Sequence, residues 1–209
     1  MRSVADRFLA GHDRLDVLVN NAGGIFMRRE LTADGLEMTF ALDHLAYFQL
    51  TVKLLDLLRK SAARVVSTSS GAHMMGRIEL DDIARREKGY SGWRAYGDAK
   101  LANILFTREL ARRLSGSGAT ANCLHPGWVN TGFALNNAGA IAKVIEFSAW
   151  LMARSPEKGA QTLIWLAASP EVRLNGEYCH DLKVARTSAA AKDDALAGKL
   201  WELSEKLCA

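Results

Sequence analysis

Short apolar runs alternate along the chain with longer stretches in which apolar residues recur every three or four positions. Four of the runs predict β-strands: Leu15–Asn20, Arg64–Ser69, Thr120–His125 and Gly176–Asp181. The first three alternate little between apolar and polar residues, which is typical of strands covered by helices on both faces. The pattern therefore predicts an α/β protein in which right-handed crossovers join about four parallel strands into one sheet.

Helical periodicity fills the stretches between these strands. Apolar residues at three- and four-residue intervals predict a helix over about Thr32–Lys60 and another over about Trp93–Leu114. The segment Ser155–Glu157 predicts the start of a third helix, because serine caps a helix, proline fits its first position and an acidic residue stabilises its first turn. We expect this helix to turn Ala160, Leu163, Ile164 and Leu166 inward.

Composition narrows the class of protein. The 209 residues are 49% hydrophobic and 24% charged, which predicts a single globular domain over residues 1–209. The net charge of +4 is spread along the chain, which argues against nucleic-acid binding. The cysteines, Cys123, Cys179 and Cys208, are too far apart for a metal site and fit a reducing, cytoplasmic compartment. We expect no signal peptide and no transmembrane segment.

Two residues of the second long helix form a candidate proton-transfer pair. Tyr96 and Lys100 are four residues apart, so their side chains project from one helix face. A lysine ammonium stabilises a phenolate and lowers the pKa of a tyrosine from its usual value of about 10. Such a tyrosine can exchange a proton with an alcohol or a carbonyl. This spacing by itself is more often an ordinary helix surface, so the interpretation depends on what lies nearby.

Three segments that follow predicted strands are expected to lie near the Tyr96–Lys100 pair. They are Asn20–Gly23, Ser69–Gly71 and His125–Thr131. Sheets of the α/β class bind their ligands at the carboxyl ends of the strands, where these segments and the Tyr96 helix meet. The first two segments are also compatible with plain turns, because asparagine, serine and glycine form turns.

In this order the motifs resemble the short-chain dehydrogenase/reductase family. The matching segments are Asn20–Gly23, Ser67–His73, Tyr96–Lys100 and His125–Thr131. The closer likeness is to the retinol-dehydrogenase-like branch, and it rests on Ala95–Leu110, Gly159–Ala167, Gly176–Asp181 and Leu200–Leu207. The resemblance covers essentially the whole chain. It implies a Rossmann-like, doubly wound parallel sheet and a nicotinamide cofactor.

The resemblance also implies roles for individual residues. Tyr96 would be the general acid/base, Lys100 would lower its pKa and bind the nicotinamide ribose, and Ser70 would orient and polarise the substrate oxygen. Ser69 is the weaker candidate, because the family uses the second serine of the pair. The segment Phe133–Arg154 resembles the family's variable substrate lid, and its apolar residues suggest a lipophilic substrate. The residues implied to contact the cofactor are Tyr96, Lys100, Asn21, Ala22, Gly23, Pro126, Gly127, Val129 and Thr131.

One catalytic candidate departs from the family pattern. The family usually has an asparagine after the first matching segment, and its backbone helps to carry a water to the lysine; this chain has Asp43 there. If the backbone does this work, aspartate substitutes with little loss. If the carboxylate faces Lys100, it offsets part of the field that lowers the Tyr96 pKa. The sequence leaves both alternatives open.

The family's opening segment has no counterpart in the sequence before Leu15. This segment holds the glycine-rich TGxxxGxG turn and the strand whose end selects between NAD and NADP. We therefore expect a piece of about 60–75 residues to be absent and the sheet to be incomplete at its N-terminal end. The branch favours NADP slightly over NAD.

Three functions remain as hypotheses. The first is an oxidoreductase that transfers a hydride between NADP or NAD and a small-molecule alcohol or carbonyl, acting as a homodimer or homotetramer. The second is a truncated, catalytically silent homologue that serves as a binding or assembly subunit. The third, an epimerase or dehydratase using the same site, is favoured by nothing in the sequence.

Overall fold

The computed structural model describes residues 1–84, 86–87, 89–129 and 154–209, and in these ranges the four predicted strands form one sheet. They are neighbours in chain order, and each adjacent pair is parallel. Each strand is shorter than the run that predicted it. Their bounds are β1 Val17–Asn20, β2 Arg64–Thr68, β3 Thr120–Leu124 and β4 Tyr178–His180. A two-residue strand, β5 (Lys183–Val184), pairs antiparallel with β4 and is too short to leave a periodic signal.

Helices connect and cover these strands. Their bounds are α1 Arg2–Gly11, α2 Met38–Phe40, α3 Ala46–Lys53, α4 Leu55–Lys60, α5 Gly92–Arg113, α6 Pro156–Ala168 and α7 Asp194–Cys208. A π-helical turn (Ala41–Leu45) joins α2 to α3, and short 3₁₀ turns cover Gly71–Met75 and Ala190–Lys192. The helix predicted over about Trp93–Leu114 is thus confirmed as α5.

The prediction of a single helix over about Thr32–Lys60 is wrong, because the helical segment begins later and is divided into α2, α3 and α4. The helical segment begins at Met38, where the carboxylate of Glu37 accepts the first backbone N–H groups. Upstream, the Thr32 N–H donates to the Leu36 carbonyl oxygen in a turn. The side chain of Leu36 nevertheless packs on the same core cluster as Phe40, so the apolar periodicity continues beyond the helix end.

Two apolar layers lie on opposite faces of the sheet. Successive strand residues point to opposite faces, so Val65 and Val66 of β2 enter different clusters. Val65 packs with residues of α3, α5 and α7, whereas Val66 packs with Leu166 of α6. Helices on both faces of a mostly parallel sheet confirm the predicted α/β, doubly wound class.

Helix α6 begins where the sequence predicted. The Ser155 hydroxyl accepts the Lys158 N–H at 3.3 Å, and Pro156 occupies the first helical position. The prediction that Ile164 faces inward is wrong, because its side chain is 57% exposed while Leu166 is buried. Each residue turns a helix by about 100°, so Ile164 lies away from the stripe that Leu166 places on the sheet.

Two further features concern the part of the chain that the structure describes. No helix there is both long enough and apolar enough to cross a membrane. No group of three or more histidine, cysteine, aspartate or glutamate side chains there is arranged to hold a metal ion.

Trp201 of α7 provides a test of this packing. Its ring lies 5.8 Å from that of Phe106 and 4.8 Å from that of Phe48, measured between ring centres. Trp201→Ala should lower the free energy of unfolding by about 3–5 kcal/mol, because it opens a cavity between α5 and α7. Ile164→Ala, the exposed control, should change it by less than about 0.5 kcal/mol. Urea unfolding of both variants measures the difference, and equal effects would contradict the packing described.

Candidate active site

One cavity of about 910 Å³ lies at the carboxyl ends of β1, β2 and β3, beside α5 and the start of α6. Its volume suits an organic ligand of cofactor or substrate size. The predicted site residues that line it are Asn21, Ala22, Gly23, Ser70, Tyr96, Lys100, Pro126, Gly127 and Val129. Of the remaining predictions, Thr131 and residues 133–153 of the proposed lid lie outside the described residues, and Asp43 lies behind the cavity wall.

Helix α5 positions the tyrosine and the lysine. Lys100 is only 2% exposed, and its Nζ atom lies 5.3 Å from the centre of the Tyr96 ring. The Tyr96 side chain is hydrogen-bonded to that of Ser70. The three residues of the predicted Ser-Tyr-Lys set therefore meet at one point of the cavity.

A glycine allows the serine segment to approach α5. A Cβ atom on Gly97 would lie 3.0 Å from the Ala72 carbonyl oxygen, so a larger residue would push the two segments apart. The Ser70 hydroxyl accepts the Ala72 N–H at 3.2 Å. The Ser69 hydroxyl instead donates to the Lys100 carbonyl oxygen at 2.7 Å. The structure thus commits Ser69 to the α5 backbone and places Ser70 against Tyr96.

Asp43 lies directly against the lysine. Its Oδ2 atom forms an ion pair with Lys100 Nζ at 2.9 Å, and its Oδ1 atom accepts the Gly24 N–H at 2.8 Å. The Asp43 carbonyl oxygen accepts the Asn103 side-chain amide at 2.9 Å. Asp43 belongs to the π-helical turn, a distortion that is frequent at functional sites. Of the two alternatives that the sequence left open, the carboxylate is the one that faces Lys100.

This arrangement reverses the expected shift of the tyrosine pKa. Burial raises the pKa of Tyr96 and the Asp43 carboxylate raises it further, against the opposing effects of Lys100 and the Ser70 hydrogen bond. The prediction that the Tyr96 pKa falls below its usual value is therefore wrong for the chain by itself. Burial lowers the pKa of Lys100, but Asp43 and the two neighbouring phenols raise it by more, so the ammonium is charged.

Several apolar residues at the site were not predicted to line it, although Trp128 lies within the segment His125–Thr131 that the sequence singled out. Met75, Trp93 and Trp128 line the cavity and are 65%, 42% and 53% exposed. They occupy turn and helix-start positions, where apolar residues follow no period. Tyr47 of α3 places its ring centre 5.8 Å from the Nζ atom of Lys100, and burial raises its pKa to about 12.

His125, the first residue of the segment His125–Thr131 that the sequence singled out, also lines the cavity. Its Nδ1 atom accepts the Gly127 N–H at 3.3 Å. Burial, together with the nearby His180 and Arg154, lowers the His125 pKa to about 4. The imidazole is therefore neutral at physiological pH.

Comparison with known proteins identifies the family of this chain. A family model described as enoyl-(acyl carrier protein) reductase matches residues 1–180. Human retinol dehydrogenase 14 is 43% identical over 98% of this chain and 62% of its own length. The chain belongs to the short-chain dehydrogenase/reductase family. Human retinol dehydrogenase 13, at 38% identity, aligns with 99% of this chain and 64% of its own length. The chain thus spans less than two thirds of these curated relatives.

Solved structures show the same family fold. A putative uncharacterised protein from Mycobacterium paratuberculosis superimposes with a TM-score of 0.75 at 35% identity, over 99% of this chain and 71% of that one. The NADP active-site complex of RhlG from Pseudomonas aeruginosa superimposes with a TM-score of 0.63 at 27% identity, over 85% of this chain and 68% of that one. The sheet of this short-chain dehydrogenase/reductase is therefore shared with proteins that carry a bound nicotinamide cofactor.

Close packing behind the Ser70 segment provides a second test. A Cβ atom on Gly76 would lie 2.6 Å from the Gly97 carbonyl oxygen, which belongs to the α5 backbone. Gly76→Ala should therefore lower the free energy of unfolding by about 1–3 kcal/mol. Gly198→Ala, in α7, meets no atom within 4 Å and should raise it by about 0.5–1 kcal/mol through helix propensity. Thermal unfolding of the two variants measures both signs, and a stabilising Gly76→Ala would contradict the close contact.

Proposed function

We propose that this chain is an oxidoreductase that transfers a hydride between a nicotinamide cofactor and an alcohol/carbonyl pair. The observation that carries the proposal is the meeting of Ser70, Tyr96 and Lys100 at one cavity on the carboxyl edge of a parallel sheet. Each has the chemistry that its role needs: a proton donor, a hydrogen-bonding hydroxyl beside it and a buried cation. The names of the retinol dehydrogenases it resembles support the same reaction class.

In the reducing direction, Tyr96 acts as the general acid. Its hydroxyl gives a proton to the substrate oxygen while the carbonyl carbon gains a hydride and the π electrons move to that oxygen. Ser70 donates a hydrogen bond to the same oxygen, and the Lys100 ammonium stabilises the phenolate that forms, until solvent returns a proton to it. The bound nicotinamide supplies the hydride in this direction and accepts it in alcohol oxidation.

The residues around the cavity fit the nicotinamide end of such a cofactor. Small residues follow β1 at Asn21–Gly23, so a flat ligand can approach the backbone. On the opposite wall, Pro126, Gly127 and Val129 follow β3, and Gly127 has a φ of +87°, a left-handed conformation that glycine adopts without strain. We assign the cofactor to these residues together with Thr131, and we favour NADP over NAD.

The cavity also supports a lipophilic substrate. The exposed apolar side chains of Met75, Trp93 and Trp128 lie at the cavity, and such side chains gain free energy when a ligand removes them from water. An apolar aldehyde or ketone, or the corresponding alcohol, is therefore the proposed substrate class. The cytoplasmic location and the homo-oligomer stay predictions from the sequence.

Cofactor binding is the first test. The purified chain should bind NADPH saturably, and NADH more weakly, with a change in nicotinamide fluorescence on binding. Lys100→Ala should weaken both, because the ammonium is placed to hold the ribose. If a folded, monodisperse chain binds neither nucleotide, the redox proposal is wrong and the binding or assembly hypothesis takes its place.

The second test separates chemistry from binding. Tyr96→Phe should reduce turnover of an apolar aldehyde by about 10²–10⁴-fold, because it removes the proton donor and little else. Its affinity for NADPH should stay close to that of the unmodified chain. Tyr90→Phe is the matched control, since the Tyr90 hydroxyl donates to the Phe26 carbonyl oxygen at 2.7 Å, lies 3.1 Å from a Glu37 carboxylate oxygen and does not line the cavity. Turnover that survives in Tyr96→Phe would contradict the mechanism.

A further inference from the structure

The ion pair behind the cavity is fixed on all sides. The side chains of Asp43 and Lys100 are 0% and 3% exposed, and their charged atoms are 2.9 Å apart. The other carboxylate oxygen is bound to the Gly24 N–H, and a Cβ atom on Gly23 would lie 2.9 Å from it. The carboxylate therefore has no room to turn away from the lysine.

Lys100 and Asp43 are the charges that act most directly on Tyr96 in the described part of the chain. Burial raises the pKa of the neighbouring phenols, Tyr47 and Tyr178, so both are neutral at physiological pH. Burial likewise lowers the pKa of His73, whose ring packs on that of Tyr178, and so favours the neutral imidazole.

Glu37 is one turn further away, at the start of the helical segment that carries Asp43. Its carboxylate accepts the N–H groups of Thr39 and Phe40, and Arg86 lies 3.9 Å from it. Burial raises the pKa of Asp43 and the nearby Glu37 raises it further, whereas the Lys100 ammonium and the Gly24 N–H act to keep the carboxylate ionised. Because the carboxylate and the ammonium are 2.9 Å apart, the ion pair places one positive and one negative charge beside the tyrosine.

This balance decides which form of Tyr96 is stable. Beside a lone buried ammonium, a phenolate would complete a neutral pair. Beside an ammonium that is already paired, the same phenolate would leave one uncompensated negative charge in a low-dielectric site. The second case is the one in this structure, because Asp43 already forms an ion pair with Lys100.

We propose that the Asp43 carboxylate neutralises Lys100 and thereby holds Tyr96 in its protonated form, so that the site favours carbonyl reduction over alcohol oxidation at neutral pH. The inference rests on the proposed function and adds a direction to it. Reduction needs the Tyr96 hydroxyl as proton donor, which is the form that Asp43 maintains. Oxidation needs the phenolate as proton acceptor, which forms only at alkaline pH. Asp43 acts through Lys100 and touches no substrate, so it is a positioning residue.

Direct titration of Tyr96 tests this without cofactor or substrate. The tyrosinate absorbance of the intact chain, minus that of Tyr96→Phe, reports the ionisation of Tyr96 alone. While the chain stays folded, as judged by circular dichroism, this signal should be absent below about pH 10, the midpoint of an ordinary tyrosine. In Asp43→Asn the midpoint should move to lower pH by about 1–3 pH units, because the amide keeps an oxygen for Gly24 but carries no charge.

A matched control measures the effect of removing an acidic charge elsewhere, on α5 itself. Glu109→Gln makes the same change of charge near the far end of α5, where Glu109 binds Arg112 and Arg113. It should leave the Tyr96 midpoint unchanged. The pH profile of alcohol oxidation should move to lower pH in Asp43→Asn and stay in place in Glu109→Gln.

The outcomes separate this inference from the proposed function. A Tyr96 midpoint below about pH 8 in the intact chain overturns the inference, and so does a midpoint that Asp43→Asn leaves in place. If Asp43→Asn does not fold, Asp43→Ser, which also removes the charge, takes its place in the same titration. A protein that shows the expected titration but no turnover refutes the oxidoreductase proposal and leaves the role of Asp43 in the protonation of Tyr96 established.

Discussion

The burial of α5 is the constraint on which the rest of the molecule depends. This helix lies between the sheet and α7, and most of its side chains are buried around nearly its whole circumference. Small residues such as Ala95, Ala99 and Ala102 let its neighbours pack closely. The same burial removes Lys100 from water, and a buried ammonium without a partner costs several kcal/mol. The π-helical turn meets this need by presenting Asp43.

A connected polar network holds these elements in register. The Asn103 side-chain amide donates to the carbonyl oxygens of Asp43 and Thr68, at 2.9 and 3.1 Å, and so ties the π-helical turn to the end of β2. The ring of His44 lies within hydrogen-bond distance of Asn103 and of Ser204 on α7. Buried polar networks stabilise one arrangement only when their members find partners. The position of Lys100 thus depends on α5, the π-helical turn, β2 and α7 together.

Family membership and local electrostatics explain different properties of the site. The fold is shared with a solved structure that is 35% identical, and curated relatives about 40% identical align with nearly the whole of this chain. Asp43 forms its ion pair with Lys100 outside the set of residues that line the cavity. We propose that the charge of this side chain sets the protonation state of Tyr96, and with it the working direction of the site, while the fold is kept.

The sequence by itself determined the four parallel strands, helix α5, the start of α6 and the grouping of the site at the strand ends. These features follow from local periodicity, capping and the rule that parallel strands end at one edge of a sheet. Only the tertiary structure decided the π-helical turn at Ala41–Leu45, the exposure of Ile164, the apolar residues at the cavity and the orientation of the Asp43 carboxylate. Burial and charge spacing arise between residues far apart in the chain, so no local pattern records them. The pKa of Tyr96 is one such case, because the burial of its ring and the charges of Lys100 and Asp43 beside it arise only in the folded chain.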